Sequence, residues 1–586
     1  MSMDHLLRNY FTAEMRYLRE AGQEFAQQFP EQGRDLGLDN GQFDPEVARL
    51  FKGFALLMAR VREKLDDDFP ELTEELVGLV WPQYLRGVPS LTMVELTPDI
   101  TQMSRCELVD KGLEVVSQPV KRDIRCRFTT TQDLLLRPLV LESHQQGFVV
   151  NGKGLLRLRF ARGPLAAWRD IDLGSLPIYL KADPAMAYAL HYCLALDLAH
   201  IRVRYPGDEQ AQAVDAFFMP KGFCEQDRLW PLGEGAAQGY QLLLEYFTFP
   251  ESFLFLALCG LERLTVPADA GWFELEVELQ HPWPQDLRLK EASLHLHVVP
   301  AINLFPLAVE PLVLAPHTSQ YSLRALYPED GFTQAYSVDE VSAVRDEASH
   351  PYMPFKSFRH KGGMLRDEIP ERYFHTRLKR RADASHDTVL VLGGEGLEQD
   401  RLPPTEPLTL RVTGTHGTLP RLSLRPTLLD TPVRVGQQAL GVRNLCLPTL
   451  PCYPPDRERF HWQVLGHQGS HTLHMLDTAE ALRSTLALYD WTDSEINQRR
   501  LAAILKVEHF LHRHDRMHLE RGVDIEITLD EGGFQGRGDI GLFGEVLSRF
   551  FAVYADVHLF NRVILVLHPS GQCLGWPVRR SQRIPG

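Results

Sequence analysis

The spacing of apolar residues changes near residue 90, and this change constrains the fold of the chain more than any other feature. In residues 1–88, apolar side chains recur three or four positions apart, which is typical of amphipathic helices. From Leu91 onward, short stretches such as "LTMVEL" and "LLRLRFA" are separated by turn residues, which is typical of β-strands. The stripe of the first predicted helix consists of Leu7, Phe11, Leu18, Phe25 and Phe29.

Helices and a charged stretch divide the rest of the chain. Helices are predicted near residues 186–198 and 240–247, and "FLFLALCG" is predicted to be a buried strand, with a helix as the alternative. Residues 346–405 are dense in charge, Gly and Pro, and are predicted to form a mobile connector. The predicted fold class is α+β and multidomain, with a helical N-terminal region followed by β-rich mixed domains. The predicted domains are 1–88 (helical), 89–345 (central, β-rich), 346–405 (connector) and 406–586 (C-terminal, α+β).

Length and composition are those of a globular protein. The 586 residues predict roughly three or four domains. With 44% hydrophobic and 24% charged residues, the chain has ample material for a core. The net charge of −15 disfavours binding of nucleic acid by the whole surface, although a local basic patch stays open.

The cysteines and the apolar runs predict a cytoplasmic location. The eight cysteines include no C-x-x-C pair, so scattered thiols in a reducing compartment are predicted. The N-terminal stretch "MSMDHLLRNYFTAEMRYL" lacks the apolar centre of a signal peptide. The longest apolar run, Phe253–Leu261, is too short to span a bilayer.

Three consecutive aspartates, Asp66, Asp67 and Asp68, raise the question of a metal or acid–base site. On a helix, consecutive side chains point about 100° apart, so these carboxylates cannot converge on one ion while the helix continues. The following Phe69-Pro70 step favours the end of one helix and the start of another. We therefore interpret the aspartates as a helix end rather than a site.

The segment "GRGDIG" places Gly536, Gly538 and Gly541 in a G-x-G-x-x-G pattern between a predicted strand and a predicted helix. A dinucleotide site needs that context, because the helix N-terminus faces the pyrophosphate. However, the connection from Asp530 to Gly541 is longer than a tight phosphate turn, and repeated βαβ texture is absent. A flexible glycine loop without a cofactor is predicted.

Histidines are the candidates for a metal site. One cluster contains His461, His467, His471 and His474, and a second contains His512, His514 and His518. Neither carries the H-E-x-x-H spacing, so surface or partly buried histidines are favoured over zinc ligands. His295 and His297 are predicted to share one strand face, without an evident third ligand. No nucleophile elbow or phosphate loop occurs, and no cofactor, metal or catalytic residue is predicted.

Two groups of residues are predicted to contact protein partners. Tyr10 and Tyr17 form a stripe beside the apolar face of the first helix, which fits either an intramolecular core or a partner helix. The basic run "RYFHTRLKRR" includes Arg377, Lys379 and Arg380. Such a run fits a solvated loop, an acidic protein partner or nucleic acid.

Long blocks of the sequence resemble the TssF family, also called ImpG or VasA, of bacterial type VI secretion systems. The blocks include "RVREKLDDDFPELTEELVGLVWPQYLRGVPSL", "GYQLLLEYFTFPESFLFLALCGL", "VVPAINLFPLAVEPL", "WQVLGHQGSHTLHMLD" and "LDEGGFQGRGDIGLFGEVLSRFFAVYADVHLFNRVIL". They cover nearly the whole chain, whereas residues 361–400 match only loosely.

This resemblance implies a structural baseplate subunit and no enzyme. It implies a complex of two copies of this chain with one TssG subunit. It further implies that the complex joins TssK and TssE in wedges around the VgrG spike and supports assembly of the tube and sheath. The family resemblance places the assembly in the cytoplasm, docked on the inner membrane through the membrane complex, with neither nucleic acid nor a small-molecule substrate.

Overall fold

The computed structural model separates the chain into two compact units. One comprises Met1–Leu79 with Pro455–Gln468, and the other comprises Val80–Pro454 with Gly469–Gly586. The residues described are 15, 49–58, 77, 86–230, 238–290, 292–314, 320–326, 332–345, 348–354, 372–380, 386–394, 407–426, 429, 433–435, 438–455, 475–513, 521–554 and 559–580.

The first unit is described mainly through one helix, α1 (residues 49–58). It coincides with part of a predicted amphipathic helix. The predictions for Tyr10, Tyr17 and the triple aspartate lie outside the described residues, and the helical region over 1–88 stays a prediction beyond α1.

The helices of the second unit follow local sequence signals. Pro184 opens α2 and fits the first helical turn, where its missing N–H is not needed. Thr478 caps α5 by accepting a hydrogen bond from the backbone nitrogen of Ala481 at 3.0 Å. The helices are α2 (Pro184–Leu196), α3 (Gln238–Thr248), α4 (Leu419–Ser423), α5 (Ala479–Ala487), α6 (Glu495–Ala502) and α7 (Arg537–Tyr554). Short 3-10 turns lie at Lys121–Asp123, Trp168–Asp170, Glu225–Asp227, Pro250–Phe253, Leu261–Arg263 and Glu531–Gly533.

The described strands before residue 303 include those predicted from alternation. They are β1 (Leu91–Pro98), β2 (Glu107–Val109), β3 (Glu114–Pro119), β4 (Arg125–Thr130), β5 (Leu134–Leu136), β6 (Leu139–Phe148), β7 (Gly154–Arg162), β8 (Ser175–Leu180), β9 (Leu198–Arg204), β10 (Gln212–Val214), β11 (Phe217–Pro220), β12 (Phe255–Cys259), β13 (Trp272–Leu279), β14 (Leu294–His295) and β15 (Val298–Ile302). The stretch "FLFLALCG" contains β12, so the predicted buried strand is confirmed.

The later described strands continue the β-rich part of the unit. They are β16 (Phe305–Leu307), β17 (Leu312–Val313), β18 (Gln320–Ser322), β19 (Gln334–Arg345), β20 (Ala348–Pro354), β21 (Arg372–Arg380), β22 (His386–Gly394), β23 (Pro407–Thr415), β24 (Val433–Val435), β25 (Gln438–Asn444), β26 (Ile504–Arg513), β27 (Arg521–Asp530), β28 (Leu559–His568), β29 (Cys573–Gly575) and β30 (Arg579–Arg580).

These strands assemble into mainly antiparallel sheets, which confirms the α+β class. The described orders are β24-β25-β1-β15-β4-β3, β10-β9-β13-β7-β6, β11-β12-β8-β14, β16-β23-β19-β20-β21-β22-β18, β2-β5 and β26-β27-β28-β29. In the last of these, β27 and β28 are parallel and α7 lies between them in the sequence. This is a βαβ unit in which residues 531–536 connect β27 to α7.

The interpretation of 346–405 as a mobile connector is wrong for its described residues. β20, β21 and β22 lie within that range and belong to the same sheet as β19 and β23. The predicted boundary at 406 also fails to separate the sheets, because β25 pairs with β1 and β23 pairs with β19. The connector was predicted because the charged residues of these strands interrupt the apolar alternation. The boundary was misplaced because pairing between strands far apart in the sequence leaves no periodic pattern in either strand.

Candidate protein interface

The glycine motif is part of a helix–helix contact. Gly538 and Gly541 lie inside α7, and a Cβ atom on Gly538 would sit 2.2 Å from backbone atoms of Tyr188 in α2. A Cβ atom on Gly541 would lie 2.8 Å from the ring of Tyr192. Gly536, with φ +93°, precedes the helix. The predicted flexible loop is therefore corrected: the glycines let α7 approach α2 closely.

Asp539, within the same motif, belongs to a buried ion pair. Its Oδ1 lies 2.7 Å from Arg500 Nη2, and its Oδ2 accepts hydrogen bonds from Arg500 Nε at 3.1 Å and from the backbone nitrogen of Gln535 at 3.0 Å. The carboxylate lies in the first turn of α7, where the positive end of a helix favours an anion. This aspartate fixes α6 against α7.

Arg500 connects this pair to α3. Its Nη1 donates a 3.0 Å hydrogen bond to Asn497, whose amide nitrogen donates to the carbonyl oxygen of Phe247 at 3.1 Å. Burial alone lowers the pKa of Arg500, but the neighbouring Tyr246 and Asp539 outweigh it, so that pKa is raised. The arginine stays charged and serves as a structural cation among rings and a carboxylate.

A second buried carboxylate, Glu245 in α3, is also enclosed by donors. Its Oε1 accepts hydrogen bonds from the backbone nitrogen of Leu229 at 3.0 Å and from Gln241 at 2.7 Å, and its Oε2 lies 3.4 Å from Arg228. Burial raises the pKa of Glu245, and these donors act against that rise. Each carboxylate oxygen is held by internal donors, as a buried charge requires.

His295 and His297 do not share a strand face, so that prediction is wrong. His295 ends β14 and contacts Glu95 through Nδ1 at 3.0 Å. His297 lies between β14 and β15 with φ +55°, and its Nε2 accepts a hydrogen bond from the backbone nitrogen of Arg137 at 3.1 Å. Burial, with a contribution from Arg137, lowers the pKa of His297 to about 4, so the ring is neutral.

Among the described residues, no group of three or more His, Cys, Asp or Glu side chains is arranged to hold a metal ion. The histidine cluster from His461 to His474 lies outside them, as do His514 and His518. None of the helices in the described part of the chain is long and apolar enough to cross a membrane.

The predicted basic run forms strand β21. Arg377 pairs in register with Val389, Lys379 with Asp387 and Arg380 with His386. Alternation along a strand places Arg377 and Lys379 on one face, and Lys379 is exposed. The side chain of Arg380 lies outside the described part of the structure. The described part of the run is therefore a strand between β20 and β22 rather than a solvated loop.

Arg377 also lines a small cavity. The cavity, which measures about 30 Å³, is bordered by Arg86, Tyr336 and Tyr453 among others. A volume of this size holds roughly one water molecule, so it cannot take a nucleotide or a similar ligand. The arrangement around β21 therefore favours surface recognition over a ligand pocket.

α1 carries exposed apolar side chains, and three of the most exposed lie along one side of the helix. Leu50, Phe54 and Leu57 are 72%, 52% and 64% exposed. Their spacing of four and three residues aligns them along one side of the helix, whereas Lys52 points to another side. An exposed apolar stripe of this kind is typical of a surface that binds another protein.

The sequence reasoning missed a charged network on the sheet β10-β9-β13-β7-β6. Phe273, Leu275 and Val277 of β13 are buried on one face of this sheet, while glutamates at alternate positions project to the other face. Cations of β7, of β9 and of the loop before β7 flank these glutamates. We refer to the network as the arginine–glutamate ladder, which consists of Lys153, Arg157, Arg159, Arg202, Arg204, Glu274, Glu276 and Glu278.

The contacts of the ladder are short and cross between strands. They are Arg159–Glu274 (3.0 Å), Arg157–Glu276 (3.3 Å), Arg204–Glu276 (2.5 Å), Arg202–Glu278 (2.9 Å) and Lys153–Glu278 (3.9 Å). The alternating stretches "FELEVEL", "LLRLRF" and "IRVRY" carried the signal. The sequence does not show that the glutamates of β13 lie beside the arginines of β7 and β9, because that depends on β13 lying between those two strands.

Comparison with known proteins identifies the family of the chain. The family profile described as "Type VI secretion system, TssF" matches residues 3–583. The type VI secretion system component TssF1 of Pseudomonas aeruginosa is 26% identical, across 99% of this chain and 100% of its own length.

Two solved structures are similar over most of the chain. One is a chain of the type VI secretion system TssK-TssF-TssG baseplate subcomplex determined by cryo-electron microscopy. It is 46% identical, with a TM-score of 0.80, and the match covers 92% of this chain and 100% of that chain. The other, from the baseplate complex of the type VI secretion system, is 44% identical with a TM-score of 0.66, covering 99% of this chain and 100% of that one. The chain belongs to the TssF family of the type VI secretion system.

Proposed function

We propose that this protein is a structural subunit of the baseplate that binds a TssG-like and a TssK-like protein. The observation that carries the proposal is its 46% identity to a chain in a TssK-TssF-TssG subcomplex, across the full length of that chain. The described geometry supports a scaffold rather than an enzyme, because Glu245, Asp539 and Arg500 are consumed by internal contacts.

The finer organisation extends this proposal. Two copies of the chain join one TssG-like subunit, and TssK-like and TssE-like proteins complete a wedge around a VgrG-like spike. Such wedges support assembly of the tube and sheath. The baseplate lies in the cytoplasm and docks at the inner face of the inner membrane through the membrane complex. The family resemblance of the long sequence blocks supports these steps.

The exposed face of α1 gives the proposal a testable contact. Leu50 and Leu57 expose apolar side chains, which cost free energy in water and gain it when a partner covers them. A partner helix fits this stripe, since apolar anchors separated by three or four residues are the usual pattern for helix recognition. The tyrosine stripe of Tyr10 and Tyr17 and the basic residues Arg377, Lys379 and Arg380 are proposed as further contacts.

Co-expression with a TssG-like protein, followed by native mass spectrometry, tests the proposal. The expected mass is that of two copies of this chain with one TssG-like subunit. The double variant Leu50→Glu with Leu57→Glu should lose the complex, whereas Lys52→Glu, on another side of α1, should retain it. A chain that stays alone with both TssG-like and TssK-like proteins would contradict the proposed function. Equal assembly of the two α1 variants would remove α1 from the interface but leave the function standing.

A further inference from the structure

The arginine–glutamate ladder has more positive than negative charge. Its five cations face three carboxylates, which leaves an excess of two positive charges on a chain whose net charge is −15. A local excess of this sign on an acidic protein attracts a negatively charged group to one place on the surface.

The ladder also keeps its cations accessible. The arginine side chains are 33–43% exposed, while the glutamate side chains between them are only 8–10% exposed. Each guanidinium has five N–H donors. Arg157 bonds its glutamate through Nε, and Arg202 and Arg204 bond theirs through Nη2, while Nε of Arg202 and Arg204 is buried, so the donors left for a partner are mainly on the Nη atoms. The outer surface of the ladder therefore presents donors whose geometry suits carboxylates.

The spacing of these donors matches an extended peptide. Arg157 and Arg159 are two positions apart on β7, and Arg202 and Arg204 are two positions apart on β9, so each pair is separated by roughly 7 Å along its strand. Acidic side chains at alternate positions of an extended segment have that same separation. Arg159 also lies 4.3 Å from the ring centre of Trp272, which combines the two residue types most often found at the centre of interfaces.

We propose that the ladder binds an extended acidic segment of another protein, with Asp or Glu at alternate positions. This goes beyond the proposed function by assigning a surface and a partner chemistry. Nucleic acid is disfavoured, because its continuous charge would be repelled by the rest of this acidic chain, whereas a short acidic segment meets only the ladder.

The test uses the purified full chain without any partner subunit, so it is independent of whether the baseplate complex forms. A fluorescein-labelled octapeptide of alternating Glu and Thr is titrated in an anisotropy assay, beside a neutral peptide of alternating Gln and Thr. We expect saturable binding of the acidic peptide only, weakening as salt rises from about 0.02 M to about 0.15 M.

The variants are chosen so that no carboxylate loses its last cation. With Arg202→Gln and Arg204→Gln together, Glu276 keeps Arg157, and Glu278 keeps Lys153. The double variant loses two ion pairs between the protein and the peptide, so it should bind the peptide about tenfold more weakly. Arg169→Gln, whose neighbour Trp168 contacts Phe273 on the opposite face of the sheet, is the matched control and should bind as the unaltered chain does.

The variant Glu276→Gln should change the peptide affinity in the opposite direction. It increases the positive excess and should strengthen peptide binding by about threefold, which no folding defect would imitate. Absence of saturable peptide binding would overturn the proposal, as would equal affinities for the double variant and the Arg169→Gln control. Binding of duplex DNA in place of the acidic peptide would also overturn it and assign the surface to nucleic acid.

Discussion

The arginine–glutamate ladder and the contact between α6 and α7 use the same chemistry, a guanidinium beside a buried carboxylate, but the guanidinium is buried in one and partly exposed in the other. Arg500 and Asp539 have side chains only 3% and 0% exposed, whereas Arg157 in the ladder is 43% exposed. A buried pair has given up its hydration, so removal of one partner leaves an uncompensated charge. In the ladder only the carboxylates are buried, and the partly exposed arginines keep much of their hydration, so each ladder pair contributes less to stability. The comparison separates charges that hold the fold from charges that are available to a partner.

The largest expected effect is in the buried pair. Asp539→Ala leaves Arg500 unpaired among aromatic rings and should lower the local free energy of opening by roughly 3–5 kcal/mol. Hydrogen exchange of peptides from Arg537–Tyr554, read by mass spectrometry, measures that opening. Replacing both partners, with Arg500→Met and Asp539→Leu, should recover much of the loss. Equal exchange in Asp539→Ala and the unaltered chain would remove the distinction between the two regions.

A pH titration sharpens the same comparison. His191 in α2 is buried, and burial lowers its pKa to about 4, well below the value of about 6.5 for an unfolded histidine. The unfolded state therefore binds a proton first, so the contribution of His191 is complete above pH 6.5 and is lost as the pH falls towards 4. The loss amounts to about 3 kcal/mol at pH 4.

The variant His191→Leu removes this titration. Between pH 7 and pH 4, the opening free energy of the α2 and α7 peptides, corrected for intrinsic exchange, should fall by about 3 kcal/mol less in the variant than in the unaltered chain. Parallel pH profiles for the two proteins would show that the ring is protonated in the folded state.

A third change probes helix packing without altering charge. Gly538→Ala introduces a Cβ atom 2.2 Å from backbone atoms of Tyr188, which cannot move as a side chain tip can. The α2–α7 contact should therefore loosen by about 1–3 kcal/mol. Gly575→Ala, which meets nothing within 4 Å, is the control and should leave the exchange of α7 unchanged. If the two alanine variants exchange alike, close approach is not the reason for this glycine.

Sequence patterns predicted the elements better than their partners. The alternation in "LTMVEL" and "LLRLRFA" predicted β1 and β7, because one buried face imposes a period of two. The same patterns could not show that β1 lies beside β25, since the two strands are far apart in the sequence. Gly538 illustrates a local error: glycine is a poor helix former, yet close packing against Tyr188 outweighs that preference.

The candidate surfaces were predictable to a similar extent. The basic residues Arg377 and Lys379 were visible as a run, but their strand was hidden by the neighbouring charges. In the ladder, Glu276 forms ion pairs with Arg157 and Arg204, and these arginines lie on strands from other parts of the chain. Electrostatic complementarity across a sheet is a property of register, and register is set by the assembled fold.

The smallest expected effect on stability is in the ladder itself, where a substitution should weaken peptide binding but hardly change the stability of the strand. Arg157→Gln removes one cation from Glu276, which keeps Arg204 at 2.5 Å. The opening free energy of Trp272–Leu279 should change by about 1 kcal/mol or less, and less still at high salt. Affinity for the acidic octapeptide should nevertheless fall by about threefold, because the exposed guanidinium that meets the peptide is gone. A loss of strand protection as large as that expected for Asp539→Ala would mean that the ladder, too, is built to hold the fold. If the ladder serves to bind a partner, hydrogen-exchange protection of the strand should stay unchanged while affinity for the peptide falls.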